Sequence, residues 1–199
     1  MIWLFPVLAY FIGSISCAYW TGKLVKGVDI RREGSGNLGA TNVFRVVGKF
    51  WGVLVFVFDA LKGALAVLLP GWVLGSALPF WLPMLCGVIV ILGHTFSVWF
   101  HFKGGKGVAT SLGVFLALAP VPALATFGCW IVVFLISHTI SIASLAAALI
   151  FPIMVTLLAR GSQEFPFLLA ISLLLTVFIF YTHRKNVQRL LRREETKLF

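Results

Sequence analysis

Residues 107–137 read GVATSLGVFLALAPVPALATFGCWIVVFLIS, with no charged residue in the whole run. A membrane-crossing helix needs about 20 apolar residues, so this run is too long for one such helix. Pro120-Val121-Pro122 stands in its middle, and proline breaks or kinks the interior of a helix. The run therefore predicts a short helix over residues 107–120 and a full-length helix over residues 121–137. One kinked helix over the whole run is the alternative.

The rest of the chain is equally apolar. Of its 199 residues, 60% are hydrophobic and 11% are charged, and the mean hydropathy is +1.04. No soluble domain of this size can bury so much apolar surface. The composition predicts an all-α, polytopic integral membrane protein that forms one domain over residues 1–199. The other spans are expected at about residues 2–22, 51–69, 78–100, 141–159 and 165–182. The first is expected to be retained, because it lacks a basic start and a cleavage site.

The distribution of cations decides between six and seven spans. Fourteen of the sixteen Lys and Arg residues lie in the segments 23–49, 101–106 and 183–199. Seven spans, one of them short, place all three segments on the same side of the membrane, whereas six would separate the last from the first two. The positive-inside rule therefore predicts seven transmembrane helices, with the N-terminus outside and the C-terminus in the cytoplasm.

Three polar clusters interrupt the apolar chain, and this topology places all of them on the cytoplasmic face. The first cluster (residues 34–45) reads GSGNLGATNVFR, the second (residues 103–110) reads KGGKGVAT, and the third (residues 183–190) reads HRKNVQRL. Glycine-rich loops turn backbone N–H groups toward an anion, and the start of a helix adds its positive dipole end. The first two clusters therefore predict phosphate sites. The third is also typical of an interfacial basic helix after a last span.

Several other interpretations of these patterns are excluded. Gly34-x-Gly36-x-x-Gly39 matches the dinucleotide fingerprint, but it follows a membrane helix where that fingerprint requires a strand. The net charge of +10 belongs to membrane topology and anionic lipid headgroups, so no nucleic-acid partner is expected. The three cysteines lack metal or redox spacing, so no metal site is expected.

Taken in order, the clusters are similar to three motifs of a known enzyme family. The matching residues are Gly34-Ser35-Gly36-Asn37-x-Gly39-Ala40-x-Asn42-x-x-Arg45, Lys103-Gly104-Gly105-Lys106-Gly107-x-Ala109 and His183-Arg184-x-Asn186-x-x-Arg189-Leu190. They resemble the motifs of the bacterial acyl-phosphate:glycerol-3-phosphate acyltransferases. The resemblance extends to Asp59-x-x-Lys62-Gly63, Gly93-His94 and Ser141-x-x-Ser144. The main departure is Arg193, where the family usually has Gly before its terminal acidic residue, here Glu195.

The resemblance implies a reaction and a location. A fatty acyl group of an acyl phosphate is expected to move to the 1-hydroxyl of sn-glycerol 3-phosphate, giving lysophosphatidic acid and inorganic phosphate, in the first acylation step of phospholipid biosynthesis. The two substrates and the lipid bilayer are the expected partners, with no cofactor and no obligatory protein partner. The expected location is the bacterial cell (inner) membrane, with the active site facing the cytoplasm.

The resemblance also implies roles for individual residues. The expected catalytic residues are Ser35, Arg45, Lys106, His183 and Asn186. The expected substrate-binding residues are Gly34, Gly36, Asn37, Gly39, Ala40, Thr41, Asn42, Lys103, Gly104, Gly105, Gly107, Ser141, Ser144 and Arg184. For Ser141 and Ser144 the alternative is small-residue packing between helices. Asp59 and Lys62 are expected to form an intramembrane pair, and His94 a helix-end hydrogen bond.

The alternative functions are a transporter or channel and a different type of acyltransferase. A small transporter or channel for phosphate esters usually carries its polar residues at the bilayer midplane, on broken helices, whereas these clusters are predicted on one face. A coenzyme A-dependent acyltransferase uses a His-x-x-x-x-Asp dyad. The residues five positions after the four histidines are Trp99, Lys106, Ala143 and Gln188, and none of them is acidic.

Overall fold

The computed structural model describes residues 2–198, and no strand occurs in that range. The helices form two compact units, one ending at Leu118 and the other beginning at Ala119. The first unit contains α1 (Leu4–Ser14), α2 (Cys17–Lys26), α3 (Ala40–Val46), α4 (Lys49–Leu74), α5 (Trp81–Thr95) and α6 (Val108–Leu118). The second contains α7 (Pro120–Ser137), α8 (Ile140–Ala159), α9 (Phe165–Thr182) and α10 (Arg184–Leu191). Short 3-10 helices occupy Ile30–Arg32, Gly75–Ala77 and Val98–Phe100. The single domain stays a prediction.

Six helical segments are long and apolar enough to cross a membrane, and one shorter apolar helix accompanies them. The six are Leu4–Lys26, Lys49–Ala77, Trp81–Phe100, Pro120–Ser137, Ile140–Ala159 and Phe165–Thr182, and the shorter one is Val108–Leu118. Few side chains of α7 and α9 are buried inside the protein, as expected for helices that face lipid. The predicted all-α, polytopic membrane fold is confirmed. The orientation of the termini stays a prediction.

At the junction between α6 and α7, α6 ends two residues earlier than predicted and α7 begins one residue earlier. Leu118 ends α6, Ala119 leaves the helical region with φ −147° and ψ 72°, and Pro120 occupies the first turn of α7. Proline suits this position because its missing N–H has no partner to lose there and its fixed φ is already helical. The prediction of two separate helices is confirmed, and the single kinked helix is wrong.

The first span is broken, which the sequence did not predict. Between α1 and α2, Ile15 and Ser16 adopt extended conformations, and the Ser16 hydroxyl accepts a hydrogen bond from the Tyr19 amide at 3.2 Å as the N-cap of α2. The Ile15 carbonyl accepts from Lys62 Nζ at 2.9 Å. Irregular backbone at membrane depth is tolerated where protein groups satisfy it. The span predicted as continuous over residues 2–22 is therefore two helices that end at Lys26.

Two glycines let α4 and α6 approach each other closely in the first unit. A Cβ at Gly63 of α4 would collide with the Thr110 carbonyl, and one at Gly113 of α6 would collide with the Ala60 backbone. Small residues that allow such backbone contact are typical of membrane helix packing. The contact fixes α6, and therefore the second cluster that precedes it, against α4.

Candidate active site

The first cluster is anchored by apolar side chains that lie within it. Leu38 and Val43 are buried in one hydrophobic cluster with Ile30. Burying a side chain of this size contributes about 1.5–3 kcal/mol, so these residues fix the path of the chain between α2 and α4. Among the polar residues of the cluster, Ser35 and Arg45 are exposed, and Asn37 and Thr41 are half-buried.

Asn42 holds the loop in shape from inside. Its Nδ2 donates to the carbonyls of Ile30 and Glu33, each at 3.0 Å, and its Oδ1 accepts from the Ser35 amide at 2.9 Å. The side chain is buried, and both its polar ends are used. The sequence placed Asn42 among the substrate-binding residues. The contacts observed here are with loop backbone, so they position Ser35.

The turn at Gly34–Gly36 requires glycine at two positions. Gly34 has φ 56° and Gly36 has φ 69°, in the left-handed region that L side chains rarely adopt. The Gly36 amide donates to the Glu33 carbonyl at 3.0 Å, which closes the turn. Ser35 lies between the two glycines, at the exposed tip. Backbone N–H groups of this loop were expected to face a phosphate, but the Gly36 N–H donates to a carbonyl within the loop.

The end of the first cluster forms α3. Gly39 is extended, with φ −136° and ψ 165°, and Ala40 begins the helix. The Asn42 amide donates back to the Gly39 carbonyl at 3.1 Å. Thr41 and Arg45 are four residues apart and so lie on one face of α3. That face therefore combines a hydroxyl and a guanidinium group.

The second cluster is held against the end of α5 by its backbone. The Gly104 amide donates to the Thr95 carbonyl at 2.9 Å, and the Gly105 amide donates to the His94 carbonyl at 3.1 Å. Gly107, with φ 85°, turns the chain into α6. Lys103 is exposed and Lys106 is half-buried. Both lysines thus precede the start of α6, where the first N–H groups of a helix lack partners within it.

The structure brings the first two clusters together. Asn37 Nδ2 donates to the Gly104 carbonyl at 3.5 Å, across 67 positions of sequence. Glycine-rich turns, the hydroxyl groups of Ser35 and Thr41 and three cationic side chains therefore belong to one region of the first unit. Neighbouring glycine-rich turns with hydroxyl and cationic side chains are typical of sites that bind phosphate groups.

Two residues just before the second cluster have a backbone conformation that the sequence did not predict. His101 has φ 53° and Phe102 has φ 58°, and the Phe102 amide donates to the Ser97 carbonyl at 2.8 Å. A positive φ is uncommon for a bulky residue and occurs preferentially at functional sites. His101 and Phe102 thus set the direction in which the backbone enters the second cluster at Lys103.

In the second unit, the third cluster begins at a junction between helices. His183 lies between α9 and α10, and its side chain is buried. The Ile179 carbonyl accepts from His183 Nδ1 at 2.9 Å, which assigns the proton of a neutral ring to Nδ1. Arg184 is exposed and donates to the Tyr181 carbonyl at 3.0 Å.

Glu195, the acidic residue at the end of the third motif, joins three residues of the second unit. Its Oε1 accepts from Ser141 Oγ at 2.7 Å and from Asn186 Nδ2 at 2.6 Å, and its Oε2 accepts from Arg189 Nε at 2.6 Å. Burial opposes ionisation of this carboxyl, but hydrogen bonds from Arg189, Asn186 and Ser141 lower its pKa below the ordinary value. Two predicted site residues, Ser141 and Asn186, therefore meet at one carboxylate.

The position that departs from the family pattern carries the turn that delivers Glu195. Arg193 has φ 59°, the left-handed conformation that glycine adopts without cost. Its amide donates to the Leu190 carbonyl at 3.1 Å, and the Glu194 amide donates to the Arg189 carbonyl at 2.8 Å. The backbone turn is therefore made with arginine.

Ser144 has the contact expected of helix packing. Its Oγ accepts from Trp130 Nε1 of α7 at 3.3 Å, and Ser144 itself is buried in α8. Ser144 thus contacts α7, whereas Ser141 contacts Glu195 beside the third cluster, and the roles of both serines stay predictions.

Comparison with known proteins identifies the family. The family model described as glycerol-3-phosphate acyltransferase matches residues 3–193. A glycerol-3-phosphate acyltransferase of Levilactobacillus brevis is 44% identical, with 96% of this chain and 90% of the relative covered. One of Fusobacterium nucleatum is 43% identical, with 97% and 96% covered.

Two solved structures have the same fold. The glycerol 3-phosphate form of PlsY (YgiH), an integral membrane glycerol 3-phosphate acyltransferase, matches with a TM-score of 0.87 and 39% identity, over 98% of this chain and 94% of that one. Its lysophosphatidic acid form matches with a TM-score of 0.85. These relatives favour an enzyme over a transporter or channel. The chain belongs to the glycerol-3-phosphate acyltransferase family and is an integral membrane acyltransferase.

Proposed function

We propose that the protein transfers a fatty acyl group from acyl phosphate to the 1-hydroxyl of sn-glycerol 3-phosphate. The products are lysophosphatidic acid and inorganic phosphate, and the reaction is the first acylation of phospholipid synthesis. The family membership supports the acceptor, since the similar PlsY structures were solved in a glycerol 3-phosphate form and a lysophosphatidic acid form. Those two molecules are the acceptor and the product of the proposed reaction.

The observation that carries the proposal is the meeting of the first and second clusters at Asn37 and Gly104. Two phosphate-bearing substrates require two anion sites side by side, and two glycine-rich loops with cationic side chains supply them. Arg45 and Lys106 are assigned to the glycerol 3-phosphate, with Lys103 beside them. Ser35 and Thr41 are assigned to the phosphate of the donor.

Acyl phosphate suits an enzyme built in this way. It is a mixed anhydride, so its phosphate is a good leaving group, and the protein mainly has to hold two anionic substrates together and stabilise the oxyanion. The hydroxyl oxygen attacks the acyl carbon, the carbonyl electrons move to oxygen, and a tetrahedral oxyanion forms. When the carbonyl re-forms, the bond from carbon to the phosphate oxygen breaks and phosphate leaves with that electron pair.

The proton of the attacking hydroxyl needs an acceptor. A phosphate oxygen of the donor, with a second pKa near 6 by analogy with phosphoserine, is the acceptor in this proposal, and Ser35 orients it. His183 is the competing base, because its Nδ1 proton is directed to the Ile179 carbonyl and a neutral ring then has its lone pair on Nε2.

The pH–rate profiles of His183→Gln and His183→Ala decide between the two bases. Loss of a general base typically costs about 10²–10⁴-fold. Substrate assistance predicts that the low-pH limb of the wild-type profile, in which the rate rises as a base loses its proton, persists in both variants. Loss of that limb together with a rate decrease of this size, at unchanged binding of glycerol 3-phosphate, would make His183 the base.

The proposed location is the bacterial inner membrane, with the site at its cytoplasmic face. The segregation of Lys and Arg along the chain supports this orientation.

The donor is tested with purified protein in nanodiscs. Palmitoyl phosphate and glycerol 3-phosphate together should release inorganic phosphate, and palmitoyl-coenzyme A should not replace the acyl phosphate. Lys106→Met should abolish release, whereas Lys197→Met, which removes an exposed cation of the tail, should keep it. The proposed donor would be refuted if turnover with palmitoyl-coenzyme A were as fast as turnover with palmitoyl phosphate and were also abolished by Lys106→Met.

A further inference from the structure

Three ionisable side chains are buried together in the first unit. Asp59 and Lys62 lie on α4 and His94 lies near the end of α5, with exposed fractions of 2%, 8% and 7%. Asp59 Oδ1 is 2.6 Å from Lys62 Nζ and 3.7 Å from His94 Nδ1. The pair predicted between Asp59 and Lys62 is confirmed. Buried charges in a membrane protein are costly and usually mark function.

One contact of this group is structural. Lys62 Nζ also donates to the Ile15 carbonyl at 2.9 Å, where the first span breaks. The ammonium group therefore satisfies a backbone carbonyl that has no helical partner. This contact accounts for Lys62 and for a carboxylate to neutralise it, but not for His94.

His94 connects the buried charges to the second cluster. Its ring faces Asp59 through Nδ1, while the other side of the ring lies against Gly105, where an added Cβ would overlap Nε2. Its carbonyl accepts the Gly105 amide, and the next carbonyl, that of Thr95, accepts the Gly104 amide. The His94 side chain thus supports Gly105, and the backbone of His94 and Thr95 supports both glycines.

We propose that Asp59, Lys62 and His94 are positioning residues for the loop Lys103–Gly107. The ion pair holds the His94 ring in place. The ring in turn sets the position of Gly105 and the direction in which the side chains of Lys103 and Lys106 point. This inference rests on the proposed function, in which that loop binds the phosphate of glycerol 3-phosphate. A loop that holds the same phosphate before and during the reaction contributes uniform binding, so loosening it raises KM with little change in kcat.

Gly105 and His94 provide a double-mutant cycle. The three heavy atoms nearest to a Cβ at Gly105 all belong to the His94 ring, and its backbone does not have a positive φ. Overpacking shifts the neighbouring side chains and backbone, and we expect such a shift of the loop to lower its affinity for phosphate by about tenfold. Gly105→Ala should therefore weaken glycerol 3-phosphate binding in the wild-type background and cost little once His94→Ala has made room.

The test is calorimetric binding of glycerol 3-phosphate to the full chain in nanodiscs, without any acyl donor. His94→Ala and Gly105→Ala should each weaken binding by roughly tenfold, and the double variant should bind no worse than His94→Ala alone. In turnover assays, His94→Ala should raise the KM for glycerol 3-phosphate by a similar factor and leave kcat within about twofold. Val90→Ala, which removes packing from a fully buried position of α5, is the matched control and should keep the wild-type affinity.

The outcomes separate the two proposals. Wild type that does not bind glycerol 3-phosphate overturns the acceptor assigned under the proposed function, and this inference with it. If wild type binds and His94→Ala binds equally well, or Gly105→Ala costs the same factor in both backgrounds, the positioning role is wrong while the function stands. The positioning role is also wrong if Val90→Ala weakens glycerol 3-phosphate binding as much as His94→Ala does. If His94→Ala does not fold, His94→Ser, which also removes the ring and makes the same room, takes its place in the cycle and is read in the same way.

Discussion

Asn186 and Glu195 are joined by a hydrogen bond of 2.6 Å from Nδ2 to Oε1. The carboxylate side chain is only 5% exposed, and Arg189 Nε approaches its other oxygen at 2.6 Å. A residue of the tail thereby sets the orientation of an amide that the sequence places in the active site. Glutamine at position 195 would carry an NH2 group, which can only donate. That group would face Asn186 Nδ2 or Arg189 Nε, which are donors themselves.

Glu195→Gln should therefore lower kcat by about 10–100-fold, the loss expected for hydrogen bonds to a charged group. Glu194→Gln removes an exposed carboxylate next to it and is the matched control. Turnover of the Glu195→Gln variant that equals that of Glu194→Gln would exclude this role.

The same carboxylate predicts a pH dependence of stability. Because its folded-state pKa is lowered, its contribution is complete above the unfolded value of about 4.3 and is lost as the pH falls through the folded value. The unfolding temperature of wild type should fall more steeply below that point than the unfolding temperature of Glu195→Gln. Parallel curves would contradict the lowered pKa.

Arg193→Gly should stabilise the protein. Arg193 has φ 59°, and a left-handed conformation costs a residue with a Cβ about 1–2 kcal/mol. Glycine loses part of this gain through its freer unfolded state, so a net increase of about 1 kcal/mol in the free energy of unfolding is expected. Arg192→Gly is the control, because Arg192 has φ −86° and should gain nothing. Equal effects at both positions would dismiss the backbone explanation.

Arg45→Lys should lose most activity although the charge is kept. A guanidinium binds phosphate through a bidentate fork that an ammonium group lacks, so the loss is expected mainly as a higher KM for glycerol 3-phosphate. Arg32→Lys, at an exposed arginine outside the three clusters, should be silent. An unchanged KM in Arg45→Lys would remove Arg45 from the acceptor site.

Topology can be checked by labelling two exposed positions. Ser76 lies in the connection after α4 and Gln188 lies on α10. In a chain without its own cysteines, Ser76→Cys should react with an impermeant maleimide added to intact cells. Gln188→Cys should react only after permeabilisation. Reaction of Gln188→Cys in intact cells would reverse the predicted orientation.

Composition was sufficient to predict the membrane helices, because apolar length alone determines which segments can cross a bilayer. Glycine spacing located the first two clusters for a similarly local reason, since Gly34, Gly36 and Gly107 have left-handed conformations that few other residues adopt. Pro120 marked the junction before α7 in the same way. These features depend on a few neighbouring residues.

Features that depend on distant partners were not predicted. The break at Ile15 and Ser16 is stable because Lys62, 47 positions away, satisfies the freed carbonyl. The role of Glu195 depends on Ser141, 54 positions away, and on a turn made by an unfavourable residue. His94 was expected only as a helix-end hydrogen bonder, because its contact with Gly105 exists only in the folded chain.

An oxygen label shows whether the acyl group is transferred from acyl phosphate by attack at the acyl carbon. Palmitoyl phosphate with ¹⁸O in the oxygen that bridges carbon and phosphorus is incubated with glycerol 3-phosphate and the purified protein, and the products are analysed by mass spectrometry. Attack at the acyl carbon predicts unlabelled lysophosphatidic acid and inorganic phosphate that carries the ¹⁸O. Absence of lysophosphatidic acid, or ¹⁸O retained in palmitate, would show that the acyl group is not transferred from acyl phosphate in this way.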